Sequence, residues 1–331
     1  MKKIRVAQVG FGGFGHGHAS CYPIDDCKLV ALCDIDEEVL HESDSTINIG
    51  TSSVKGLDAI AKYTDFQEML KVEKPDMVDC CLPTPLHVDY AIMAMKAGCH
   101  VLSEKPMAID SSEAKRLMTA AKRYGVKVMV AQVLRFCPVY EIIREAYQDG
   151  RYGKLLRYDA RRLSACPKNA WYNDHTQSGG AILDLHLHDT DFINSLLGMP
   201  DAVTSHGIVG PTGGYDDIMT TYEYADGPVV TATGSWCRDG WDCRTAAIFE
   251  KATITTYGDD KYYISRNGHE VHTVTVENPN GYRNEIRYLA QCILKDEEPV
   301  RCPLASTYDS IRIVEAEARS IRTGRTVTLK K

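Results

Sequence analysis

The chain has 331 residues, 45 acidic and 38 basic, for a formal net charge of −7 at pH 7; 44% of the residues are hydrophobic and 25% charged. This is the composition of a water-soluble globular protein with room for two domains. With no Lys/Arg run or basic stripe in it, nucleic acid and anionic membrane are poor candidates for the main partner. No apolar run nears membrane-spanning length, no signal-peptide core precedes the first glycines, and the 12 cysteines include no C-x-x-C pair. The expectation is a cytoplasmic, reducing setting with free thiols and no membrane.

Residues 4–9 read as a buried strand that runs straight into Gly10, Gly12 and Gly15, spaced G-x-G-x-x-G, with a helix expected over 16–23. A strand, a glycine turn and a helix suit a dinucleotide pyrophosphate. Gly10 permits the tight turn, Gly12 lets backbone approach the phosphates, and Gly15 lets helix pack on strand. The helix N-terminus offers free N–H groups and a partial positive charge. The alternative is a structural turn without a ligand. A second strand over 28–33 ends at Asp34, where a carboxylate should meet the adenosine ribose hydroxyls. Asp34 is followed by Ile35 and Asp36 with no cation beside it, so NAD is expected rather than NADP.

Asp36 predicts a capped helix to about residue 43, and the polar segment 44–58 reads as a loop. Asp65 caps a helix, residues 76–82 form a strand, 87–97 a helix stopped by Gly98, 100–103 a strand, 111–124 a helix stopped by Gly125, and 126–131 a strand. Alternating β and α signals mean a doubly wound parallel sheet, an N-terminal Rossmann domain over 1–132. Beyond it the pattern changes. A helix over 139–149, a strand over 155–163, a Trp- and Tyr-bearing loop and a helix over 180–197 precede strand-like runs across 201–276, with turns at Asp226-Gly227 and Asn267-Gly268. Two helices close the chain. Residues 133–331 therefore read as an α+β domain with an open, mostly antiparallel sheet.

Two constellations carry chemistry. Glu104-Lys105-Pro106 follows a parallel strand, where ligands bind, and the proline pushes Lys105 toward an extended backbone; a solvated surface pair is the alternative. In the segment from Ser178 to His188, a continuous helix would set Asp184 and His188 at i and i+4, a general base beside the carboxylate that orients it. The alternative for His188 is a satisfied, half-buried histidine. His186 falls on the opposite face, so Asp184, His186 and His188 do not converge on a metal, and none is expected.

In order and spacing, GFGGFG at the start, LPTPLH at 82–87, AGCHVLSEKPMA at 97–108, RFCP at 135–138 and SGGAILDLHLHDTD at 178–191 resemble the Gfo/Idh/MocA oxidoreductases, relatives of inositol dehydrogenase and glucose–fructose oxidoreductase. The resemblance covers nearly the whole chain. It implies Lys105, Asp184 and His188 as catalytic residues. It implies cofactor contacts from Gly10, Phe11, Gly12, Gly13, Phe14, Gly15, Asp34, Pro83, Thr84, His87, Glu104 and Lys105. Substrate contacts would come from Lys105, Arg135, Trp171, Tyr172, Asp184 and His188, with Asn173, Asp174 and His175 in the same loop. The chain departs from many members in carrying His186 two residues before the histidine, and His87 directly follows a short Thr84-Pro85-Leu86. The implied activity is hydride transfer between NAD(P) and a polyol, cyclitol or sugar-like secondary alcohol, in a homodimer or homotetramer joined through the open sheet face. A redox-neutral, NAD-dependent glycosidase and a non-catalytic NAD sensor are the rival readings.

Overall fold

The computed structural model describes residues 3–22, 24–47, 50–168, 170–258, 260–266 and 271–329. The expected turn at Asn267-Gly268, and Pro23 at the expected end of the first helix, lie outside them. The chain divides into two units, one comprising Met1–Ala108, Ser112–Ala131 and Tyr282–Ala305, the other Ile109–Ser111, Gln132–Gly281 and Ser306–Lys331.

The first unit is built on a six-stranded sheet. Its strands run in the order Ala61–Tyr63, Cys27–Cys33, Ile4–Val9, Met77–Cys80, His100–Ser103, Val128–Val130, every pair parallel. By position in the chain that is 3-2-1-4-5-6, the doubly wound order with its topological switch between Ile4–Val9 and Met77–Cys80. Val6, Val9, Leu32, Met77, Val78, Val101 and Leu102 are buried, as expected of strands covered on both faces. Asp65 caps the helix Phe66–Glu73 by accepting the Glu68 N–H at 2.9 Å. The helices His87–Lys96 and Ser111–Tyr124 are followed by Gly98 and Gly125, both at positive φ.

Three features differ from the sequence reading. The segment expected to be a loop holds a polar hairpin, Asp44–Ile47 with Gly50–Ser53, tied by Thr46 Oγ1 to Thr51 Oγ1 at 2.9 Å, and the third sheet strand follows it. Asp36 accepts the Glu38 N–H at 3.0 Å, but only a single 3-10 turn, Val39–His41, follows. Residues Tyr282–Ala305, which a division at 132 assigns to the second half, pack with the first unit. The helix Gly281–Lys295 buries Ile286, Leu289 and Ala290 at helical spacing, and it packs with a unit whose other segments end at Ala131, with Gln291 reaching Asp26 across 265 residues, a separation that a linear reading does not bridge.

The second unit carries a nine-stranded sheet. The order is His272–Thr275, Lys261–Ser265, Thr253–Tyr257, Cys237–Phe249, Leu155–Ala165, Val229–Ser235, Tyr215–Glu223, Ala202–Val209, Val327–Thr328. Only Val229–Ser235 with Leu155–Ala165 is parallel. One face buries Tyr158, Ile218, Tyr222, Val230, Ala247 and Ile254, and the same unit's helices bury Tyr140, Ile143 and Phe192. The opposite face leaves Met219, Val229 and Tyr257 exposed, with Arg161 and Arg244 in register between them.

Candidate active site

The glycine turn follows from sterics. A Cβ on Gly10, whose φ is +86°, would lie 2.2 Å from the Cys81 carbonyl oxygen, and a Cβ on Gly15 would lie 2.2 Å from that of Gly10. Neither position admits a side chain. Gly12 is different: its backbone is extended, it is exposed at the turn's tip, and a Cβ there would meet no protein atom within 4 Å. Nothing in the protein requires glycine at 12, so the space above it fits a ligand that approaches the backbone. Gly13 and Phe14 begin the helix Gly13–Ser20, whose first turn carries no acidic side chain. Gly12, Gly13 and Phe14 thus present backbone to an anion.

Two polar side chains shape this turn. Gln8 lies in an otherwise apolar strand and donates from Nε2 to the carbonyls of Gly10 and Gly15, both at 2.9 Å. Its one signal in the sequence is a polar residue inside a buried run. Asp34 accepts the Phe11 N–H at 2.7 Å with one oxygen and the Asp36 N–H at 3.1 Å with the other. It remains half-buried, with lone pairs left for ribose hydroxyls. The Phe11 side chain is fully buried and stacks on His16 at 3.9 Å, so its contribution to the turn is its N–H. Ile35, Asp36, Glu37 and Glu38 are all exposed and offer no cation to a 2′-phosphate.

Across the switch point, Pro83 is half-buried and Thr84 buried. His87 does not present a free ring edge to a cofactor. Its Nδ1 lies 2.8 Å from the Pro106 carbonyl and its Nε2 2.6 Å from that of Leu82, so it ties together the loops after two strands. Burial pushes its pKa below the ordinary value although both carbonyls favour the charged ring. Glu104 is likewise turned inward, bonded to His18 and to the Lys105 N–H. Lys105 itself is buried at the end of the strand His100–Ser103, ahead of a cis Lys105–Pro106 bond. The partners that hold these two side chains, two carbonyls for His87 and a histidine for Glu104, cannot be read from motif spacing.

In the second unit Asp184 and His188 are not on one continuous helix. The helix Gly180–Asp184 ends, and Leu187–Leu197 begins after a break. The His186 N–H reaches back five residues to the Ala181 carbonyl at 2.8 Å, and the His188 N–H only three, to Leu185, at 3.3 Å. Such π-type and 3-10 turns inside a helix recur at functional sites. At the break sits His186, which is wholly buried, with Nε2 3.3 Å from the Tyr222 hydroxyl and 3.6 Å from a Glu317 oxygen. Only glycine at 234 leaves it room, since a Cβ there would lie 2.8 Å from the ring. Burial pushes the His186 pKa down to about 4. Asp184 is buried and His188 half-buried.

Buried acids absent from the sequence reading fix this segment. Asp216 accepts the Ala181 N–H at 2.9 Å and anchors the first helix at its start. On the second helix, Asp189 pairs with Arg162 at 2.9 and 3.1 Å, and Asp191 with Arg135 at 2.7 Å twice. Arg135, read as a substrate residue, is thus consumed in a bidentate buried pair and also donates to Ser306 at 3.0 Å. In the loop, the Trp171 and Tyr172 rings lie 3.8 Å apart, tilted by 30°. Tyr172 is buried edge-on to Trp236, so its ring is packing, while Trp171 stays partly exposed. Asp174 caps the short helix His175–Ser178; Asn173 and His175 are exposed.

The family model described as an oxidoreductase family with an NAD-binding Rossmann fold matches residues 4–132, and the GFO/IDH/MocA C-terminal domain model matches residues 140–255. The chain belongs to the Gfo/Idh/MocA oxidoreductases. It is 32% identical over 202 residues to the D-glucoside 3-dehydrogenase of Escherichia coli (strain K12), covering 60% of this chain and 55% of that one. It is 25% identical over 348 residues to the scyllo-inositol 2-dehydrogenase (NAD(+)) of Bacillus subtilis (strain 168), covering 99% and 96%. A levoglucosan dehydrogenase, solved with NADH and levoglucosan, shares the fold at a TM-score of 0.85 and 18% identity over 100% of both chains. The chain spans about half the length of the first of these relatives, 55%. In this Gfo/Idh/MocA chain the Rossmann match includes the glycine turn and Lys105, and the C-terminal match includes Asp184 and His188. No helix among the described residues is long and apolar enough to cross a membrane.

Proposed function

We propose that this protein is an NAD-dependent dehydrogenase acting on a secondary alcohol of a sugar, polyol or cyclitol. The observation that carries the reading is the glycine turn. Its exposed tip at Gly12 has room that only a ligand would use, and Asp34 is locked onto it with no cation among the four residues that follow it. Bound NAD supplies the hydride acceptor at nicotinamide C4. Lys105 hydrogen-bonds the reacting oxygen and favours its alkoxide-like charge in the transition state. His188 takes the hydroxyl proton, and Asp184 orients His188 or binds a neighbouring hydroxyl. Trp171 offers an apolar face to the carbon skeleton. The names of the relatives, glucoside and inositol dehydrogenases, support this substrate class.

The division of labour puts the dinucleotide on the first unit and the base on the second. The exposed face of the second unit's sheet, with Met219, Val229 and Tyr257, supports a homodimer or homotetramer, and the free cysteines support a cytoplasmic setting. The test is a panel of cyclitols, aldoses and sugar acids with NAD and with NADP, read by absorbance of the reduced cofactor. Net reduction of NAD by one stereochemical set is expected. Reduction of NADP in preference overturns the cofactor assignment. Cofactor that stays bound and is not reduced by any of them overturns the dehydrogenase reading in favour of a redox-neutral enzyme or a sensor.

A further inference from the structure

The first unit buries a row of ionisable groups that the proposed chemistry does not use. Glu104 is linked on both sides. Its Oε2 accepts the Lys105 N–H at 2.9 Å, and its Oε1 faces His18 Nε2 at 2.8 Å. His18 Nδ1 lies 3.1 and 3.2 Å from the two oxygens of Asp79. Asp79 also accepts from the Tyr22 hydroxyl at 3.3 Å and from Cys81 Sγ at 3.6 Å. His18 and Asp79 have no exposed surface, and Glu104 and Lys105 have 6% and 8%.

With a carboxylate at each nitrogen, the His18 ring donates twice and carries a positive charge. Burial opposes that charge, but Cys81 and Asp79 outweigh it and lift the ring well above the usual histidine value; Asp79 is the partner that matters, because burial holds the Cys81 thiol neutral. Burial would likewise raise Glu104, yet the His18 bond and charge, with Lys105, hold it below the ordinary carboxyl value. From the helix Gly281–Lys295, Tyr282 stands 5.6 Å from the ring, and Glu285 approaches it with both oxygens unpartnered. Burial raises Glu285 well above its ordinary value.

We propose that His18 is a positioning residue for Lys105. Its imidazolium, held by Asp79, fixes the Glu104 carboxylate, and Glu104 fixes the backbone from which the Lys105 side chain springs. The row alternates in charge, Asp79 negative, His18 positive, Glu104 negative, and ends at the lysine. The inference rests on the catalytic reading of Lys105. Such a network sets where the ammonium sits, and none of the hydrogen bonds of Asp79, His18 and Glu104 is made to Gly10, Gly12, Gly13 or Gly15. Losing it should therefore cost turnover, while cofactor affinity stays put.

The test compares Asp79→Asn, Glu104→Gln, His18→Gln and His18→Leu with a core control, Leu117→Ala, in the full chain. Five quantities are read: Tm, the NADH dissociation constant by fluorescence, kcat and KM on the best substrate of the panel, and the rate at which formaldehyde with borohydride methylates Lys105, followed by peptide mass spectrometry. Asp79→Asn and Glu104→Gln should lower kcat roughly tenfold to a hundredfold at nearly unchanged KM and NADH affinity, and change the Lys105 methylation rate. His18→Gln, which keeps a donor toward Glu104, should be milder than His18→Leu. If His18→Leu does not fold, Asp79→Asn and Glu104→Gln carry the comparison. Variants that lose Tm as Leu117→Ala does, with kcat and methylation unmoved, overturn the proposal and leave a purely structural cluster. A separate Lys105→Ala variant with wild-type turnover would instead overturn the catalytic reading of the lysine.

Discussion

The three motif glycines should separate folding from cofactor binding. Gly10 sits at φ +86°, which costs a side chain ~1–2 kcal/mol, and its Cβ would collide with the Cys81 carbonyl at 2.2 Å. Gly15 lies in a helix, where alanine is intrinsically better by ~0.5–1 kcal/mol, yet its Cβ would lie 2.2 Å from the Gly10 carbonyl and 2.9 Å from Gln8 Nε2. Overpacking against backbone costs ~1–3 kcal/mol and wins. Gly12 has an extended backbone and open space, so Gly12→Ala loses only ~0.5 kcal/mol as a poorer helix cap. Its methyl group, however, stands where the pyrophosphate must come, and the NADH dissociation constant should rise at least about tenfold, ~1.4 kcal/mol. Differential scanning fluorimetry without cofactor, paired with NADH fluorescence titration, reads both quantities. Gly15→Ala should lower Tm clearly and Gly12→Ala barely, while Gly12→Ala loses NADH. A Gly12→Ala protein that binds NADH as tightly as wild type would refute the phosphate cradle.

Asp34→Ala should relax the choice of NAD over NADP and also weaken NAD, because the Phe11 N–H held at 2.7 Å loses its acceptor; kinetics with both cofactors check it. His188→Asn should keep NADH affinity, lower kcat by ~10²–10⁴, and flatten the rise of oxidation rate with pH, since only the neutral imidazole accepts the hydroxyl proton. His186→Ala should leave that limb in place and cost ~2–4 kcal/mol of stability by denaturant unfolding, from the emptied space and the partner lost to Tyr222. The same variant carries a pH signature. The unfolded ring protonates near ~6.5, whereas burial holds the folded one down to about 4, so wild type loses this contribution as pH falls across that window and His186→Ala does not. Glu317, pushed up to about 8 by burial, has the opposite sign, with its contribution lost as pH rises toward that value.

What the sequence revealed was local. Strands buried on both faces appear as apolar runs, the glycine spacing encodes its own turn, and Asp65 caps a helix three residues away, so the parallel sheet and the cofactor turn were legible. The open antiparallel sheet was legible from its alternation. What escaped depends on partners far along the chain. Asp191, the partner of Arg135, is 56 residues on, and Glu104 meets His18 across 86. The broken helix carries a helical pattern throughout; only the pocket opposite Gly234 explains why His186 leaves it. The hairpin over 44–53 is too polar to announce a strand.

The helix Leu187–Leu197 is pinned by two arginines, Arg162 to Asp189 and Arg135 to Asp191, each through a pair of bonds. Removing one member of a buried pair costs ~3–5 kcal/mol. A rod pegged at two neighbouring points cannot roll about its axis, so the direction in which His188 leaves it is set by the scaffold. In the loop, Asn173 Oδ1 accepts from Cys166 Sγ at 3.5 Å and His175 Nδ1 lies 3.3 Å from the Thr212 carbonyl, neutral partners rather than buried ion pairs, and Trp171, Asn173 and His175 lie partly in solvent. On the proposed reading, substitutions there would change which alcohol is offered to His188 without re-aiming it, which makes that loop the place to redirect specificity and the arginine pairs the place to leave alone.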